Sequence, residues 1–108
     1  MGDRGQVHIK DEGVWLYTHW AASELTDTVR VALSKRARWN DAEYLARIIF
    51  DEMIGDRQGQ QTGYGISSHG PHGDEWRIIE VNCKTARVIV KDNDETVIDQ
   101  TFDEFVKS

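Results

Sequence analysis

The chain has a single cysteine, Cys83, and a single proline, Pro71, in 108 residues. One thiol excludes an internal disulfide, so the fold must be held by packing and polar contacts, and the expected compartment is the reducing cytoplasm. Long apolar runs are missing as well. None approaches the roughly 20 residues a membrane helix needs, so no membrane partner is expected. Met1-Gly2-Asp3-Arg4-Gly5 also lacks the apolar stretch of a signal peptide. Basic charge is scarce: 13 Lys and Arg stand against 19 Asp and Glu, giving a net charge of −6. Affinity for DNA or RNA is built from clustered Lys and Arg that release counterions, so a nucleic-acid polymer is not an expected partner. A DNA mimic would present its acids in a continuous stripe, and here basic residues interrupt them.

What is present is enough for one domain spanning residues 1–108, with 39% apolar and 30% charged residues. Gln6 to Lys10 and Val14 to Trp20 read as strands joined by a turn at Asp11-Glu12-Gly13. A helix is predicted from about Ser23 as N-cap, with Leu25, Val29 and Leu33 on one face. Asn40-Asp41 caps a second helix whose apolar arc is Tyr44, Leu45, Ile48, Ile49 and Met53, ending near Gly55. A polar loop over 56–61 leads to a strand over 62–67. A second loop, Ser68 to Asp74, precedes strands at Trp76 to Val81, Ala86 to Val90 and Thr96 to Gln100, turning at Asn82-Cys83-Lys84 and Asp92-Asn93-Asp94. Thr101-Phe102-Asp103-Glu104 fits a capping box that docks a terminal helix through Phe102, Phe105 and Val106.

This order predicts an α+β fold: a two-layer sandwich of a mostly antiparallel sheet with two main helices on one face. Val7, Ile9, Leu16, Ile79, Val88 and Val90 would face the helices. His8, Lys10, Trp15, Tyr17, His19, Trp76, Ile78, Arg87 and Ile89 then fall on the opposite face, which is too aromatic for plain solvation. A second subunit, a ligand or the loops should cover it, and a homo-oligomer is expected.

The densest chemistry lies in Val14-Trp15-Leu16-Tyr17-Thr18-His19-Trp20. Period-2 geometry separates Trp15, Tyr17 and His19 from Val14, Leu16, Thr18 and Trp20. Rings there can stack on a nucleobase, Thr18 and His19 can hydrogen-bond a phosphate or ribose, and the amides around Ser23 can receive an anion. Tyr64, between Gly63 and Gly65, with Ser67 and Ser68, can wall a pocket, although the segment has neither the spacing nor the lysine of a phosphate loop. Arg4 and Arg47 are candidate anion partners, with Arg47 four residues from both Glu43 and Asp51. Glu52 projects inside the arc of Leu45, Ile48 and Ile49, where a carboxylate needs a compensating partner. His69-Gly70-Pro71-His72 has the spacing of a metal clip but lacks third and fourth ligands, so neither metal nor other cofactor is expected.

At Arg4-Gly5, Val14 to Trp20, Leu45 to Phe50 with Glu52-Met53, and Thr62 to Ser67, the chain resembles a family of small uncharacterised proteins from bacteria, archaea and their phages. The resemblance supplies no catalytic residues. Its phage setting implies, by analogy, a sponge that sequesters nucleotide-derived signals of bacterial immunity. The expected function is therefore non-enzymatic binding of a small anionic, nucleotide-derived ligand by Arg4, Trp15, Tyr17, Thr18, His19, Trp20, Arg47, Glu52, Tyr64, Ser67 and Ser68. The alternatives are a small hydrolase in which His19 or Glu52 activates water, and a protein-interaction module using the aromatic sheet face.

Overall fold

Alternation in the strands sends Val7, Ile9, Leu16, Ile79, Val81, Val88 and Val90 into one buried cluster with residues of the helices. These positions lie in a computed structural model that describes residues 3–10, 12–56, 63–71, 73 and 75–108. The strands are β1 (Gly5–Ile9), β2 (Val14–Thr18), β3 (Tyr64–Ser67), β4 (Arg77–Asn82), β5 (Arg87–Asp92) and β6 (Glu95–Thr101), and the helices are α1 (Ala22–Ser34), α2 (Ala42–Ile54) and α3 (Phe102–Lys107). Asp11, residues 57–61 of the loop predicted over 56–61, Thr62, His72 and Asp74 lie outside the described residues.

The strands form one mixed sheet in the order β3-β2-β1-β4-β5-β6. The α+β class holds, with a correction at the centre of the sheet. β1 and β4 run parallel, from Gly5↔Arg77 to Ile9↔Val81, while the other neighbouring pairs are antiparallel. Local alternation identifies a strand but not the direction of a partner far along the chain, so this pairing was not legible. Gly5 shows what it demands: a Cβ there would sit 2.9 Å from both the Ala22 Cβ and the Arg77 carbonyl oxygen.

The second helix starts as its sequence predicts, with the Asp41 side chain accepting from the Tyr44 amide and Gly55 closing the helix at φ 63°. Its buried stripe is rotated from the predicted one: Ala42, Leu45, Ala46, Ile49 and Met53 are buried, whereas Tyr44 is exposed beneath the Arg38 and Arg47 guanidinium groups. Small alanines bring the helix backbone close to its neighbours, and an amphipathic tyrosine is easily displaced outward. The terminal capping box is complete, with Thr101 and Glu104 each accepting the other's backbone amide, and Phe102 and Phe105 are fully buried. The sheet ends on β6 with a register shift between Val90 and Lys91.

The first helix corrects the prediction more sharply, because Ser23 is not its N-cap. Ala21 stands there and caps nothing with its side chain. Asp3, distant in sequence, supplies the missing acceptor: its carboxylate receives the Ser23 amide and hydroxyl and the Trp76 indole N–H, and its carbonyl receives the Ala22 amide. The Ser23 hydrogen bonds, aided by Trp76 and Arg77, hold the Asp3 carboxyl below its ordinary range. That stabilisation is complete above about pH 4 and is lost as pH falls through the lower folded-state value. Asp3→Ala should therefore lower stability at pH 7 by about 1–2 kcal/mol, the usual scale of a lost cap. The difference from the native chain should shrink on acidification, as measured by urea unfolding at a series of pH values.

Candidate functional site

The sheet face opposite the helices carries two registered rows. In one, Tyr17, Gln6, Ile78 and Lys91 are cross-strand neighbours; in the other, Trp15, His8, Glu80 and Ile89 are. The chain must cross this face to connect β3, at one edge, with β4, beyond β2 and β1. Gly70 marks the crossing. A Cβ there would lie 2.6 Å from the Trp15 ring and 3.0 Å from Gln6 Oε1. At the far end of the crossing, the Trp76 amide donates to the Arg4 carbonyl. The cover predicted for the aromatic face is thus provided in part by the chain's own loop, and Trp15, Tyr17 and Trp76 are half-buried without a second subunit. Beneath the loop, Gln6 is completely buried and neither side-chain amide atom has a hydrogen-bond partner among the described residues. An unmet amide of this kind costs about 1–3 kcal/mol.

On one side of the crossing lies a polar and aromatic cluster. The Arg4 Nε–H donates to His19 Nδ1 at 3.3 Å, and the Tyr17 hydroxyl meets the same nitrogen at 3.0 Å. With Nδ1 accepting from both, the ring proton belongs on Nε2, which has no partner among the described residues. The Trp20 indole stands edge-to-face with His19, centroids 4.8 Å apart, and is 66% exposed. Strand alternation puts Trp20 on the side of Leu16, but β2 ends at Thr18 and leaves its ring exposed. Gly63 permits the arrangement, since a Cβ there would lie 2.5 Å from the Trp20 ring.

On the other side, His8, Trp15, Pro71, Glu75, Trp76, Ile78, Glu80, Lys91 and Asp94 line a cavity of about 200 Å³. The His8 and Trp15 rings stack face to face, 3.9 Å apart and 6° from parallel. Burial pushes the His8 imidazole below its ordinary pKa, against the smaller opposing pull of Glu80. Among the described residues, no three His, Cys, Asp or Glu side chains are grouped to hold a metal ion. None of the described helices is long and apolar enough to cross a membrane.

Of the residues singled out by sequence, Arg4, Tyr17, His19 and Trp20 converge and Trp15 stands across the loop. The rest are placed elsewhere. Thr18 is buried on the helix side, its hydroxyl accepting the Ala21 amide at 3.1 Å, and its cross-strand neighbour Tyr64 also packs against the core. Ser67 is engaged with the His69 backbone, and Ser68 is exposed. Arg47 pairs with Asp51, and Glu52 pairs with Lys35 at 3.1 Å, partly exposed. Lys35 closes the C-terminal end of α1 while His19 precedes its start, so His19 and Glu52 are separated by roughly the helix length of about 20 Å. The amides at the start of α1 are not open to an anion, because Asp3 already occupies them. Sequence reasoning missed Gln6, Glu75, Glu80, Lys91 and Asp94. Glu80 joins His8 only through the parallel pairing, and the carboxylates at 75 and 94 arrive from connections.

Compared with protein-family profiles, with curated proteins and with solved structures, the chain has no significant match.

Two outcomes follow. Gly70→Ala should destabilise the protein by about 1–3 kcal/mol, because the loop must lift from Trp15. Gly65→Ala, whose Cβ meets nothing within 4 Å, should be tolerated; thermal unfolding of the pair checks the contrast. For His8, the unfolded state takes up its proton first, so stability should fall as pH drops below about 6.5 toward the lower folded-state value. His8→Phe should remove that share of the loss in denaturant titrations between about pH 7.5 and 5.5.

Proposed function

We propose that this protein binds a small anionic, nucleotide-derived ligand and holds it without turning it over. The supporting observation is the convergence of Arg4 and Tyr17 on one nitrogen of His19, which presents the Nε2–H beside the exposed Trp20 ring. A guanidinium and an imidazole N–H recognise a phosphate oxygen, and the indole offers a face for a base. Catalysis gains no support, since Glu52 is held by Lys35 at the other end of α1. The proposal extends to sequestration of a nucleotide-derived signal.

The test is to incubate the protein with a panel of mono-, di- and cyclic nucleotides, remove unbound material, and identify what heat releases. The expected result is one ligand returned chemically intact. Release of a converted product overturns the non-enzymatic reading; retention of none overturns the ligand class. Trp20→Ala should weaken binding roughly tenfold to a hundredfold, since stacking contributes about 1–3 kcal/mol per base. At an exposed position the same change should leave stability within about 0.5 kcal/mol.

A further inference from the structure

We infer that the cavity on the far side of the crossing loop is a second binding site, and that it takes a compact organic cation, an alkylammonium with an apolar tail. The walls set the shape. Trp15, Trp76 and Ile78 supply the aromatic and aliphatic walls of a cavity of about 200 Å³, enough for a small metabolite and less than most drug-sized pockets enclose.

The rim sets the sign of charge: among the described lining residues the carboxylates of Glu75, Glu80 and Asp94 outnumber the ammonium of Lys91, with the Lys10 ammonium 3.8 Å from Glu80. An anion would be repelled by that excess, while an ammonium gains the carboxylates and its apolar tail gains the aromatic and aliphatic walls. Glu80 is only loosely satisfied, with Lys10 at 3.8 Å, and Asp94 makes no ion pair among the described residues. His8 adds an acceptor rather than a competing charge, since burial keeps its imidazole neutral near pH 7.

The same rim separates this site from the Arg4–His19 cluster in kind, because one surface favours phosphate oxygens and the other repels them.

The experiment is an NMR titration of the full chain, following the indole N–H signals of Trp15 and Trp76, with phenethylammonium and with the near-isosteric anion hydrocinnamate. Phenethylammonium should shift both signals saturably, with hydrocinnamate at least about tenfold weaker. Glu80→Gln and Asp94→Asn should each weaken the cation by about threefold to tenfold, as expected for loss of one charged contact. Arg4→Ala should leave it unchanged, which keeps this result separate from the nucleotide reading. Ile78→Trp should fill the cavity and abolish the shifts; should it fail to fold, Asp94→Asn on the exposed turn still decides. Equal binding of the anion, or no saturable shift with phenethylammonium up to about 10 mM, overturns the inference.

Discussion

The parallel register of β1 against β4 is the constraint on which the remaining architecture depends. It inserts the first strand of the chain into the middle of the sheet, where Val7 and Ile9 are fully buried on one side and Gln6 on the other. Complete burial of each such aliphatic side chain contributes about 1.5–3 kcal/mol. With β3 on the far side of β2 and the helices occupying one face, the connection to β4 has to run over the other. Both candidate sites are by-products of that path. The loop divides one aromatic surface into a basic corner at Arg4 and His19 and an acidic cavity at Glu80 and Asp94.

A second knot fastens the same region from below. Asp3 joins α1, through Ser23, to the Trp76 indole. Arg77 lies over that indole at 4.4 Å, pairs with Asp92 on β5, and donates to the Ala22 carbonyl. Asp3, the chain neighbour of Arg4, is the residue that closes off the helix terminus. An anion reaching this corner meets side-chain donors rather than helix amides, and the chemistry of the corner is set by Arg4, Tyr17 and His19.

Local physics made much of this legible. Periodicity gave the strands and both long helices; the Asp41 cap, the Gly55 stop, the Thr101–Glu104 box and the Asp92 to Glu95 turn all depend on residues within a few positions of one another. The turn at Asn93 and Asp94, both at positive φ, is of this kind. Illegible were the contacts made across long separations: the direction of β4 beside β1, the surrogate cap at Asp3, and the loop over Gln6. Trp20 is named for the site from sequence, and the end of β2 at Thr18 is what leaves it in solvent beside His19. Of the site, the corner could be read because Tyr17 and His19 are neighbours in sequence. The cavity could not, because its carboxylates are gathered by pairings no local pattern encodes.

The distance in sequence between Gly5 and Arg77 also fixes an order of assembly. During synthesis the first hairpin emerges long before its parallel partner, so the β1 edge, with Val7 and Ile9 beside it, waits with its backbone donors and acceptors unpaired while the helices form. The C-terminal meander of β4, β5 and β6 and its capped helix is built from short-range pairs and can close quickly once made. Pairing of β4 with β1 carries the loop-closure cost of joining distant parts of the chain, a cost that the local pairs of the meander do not carry.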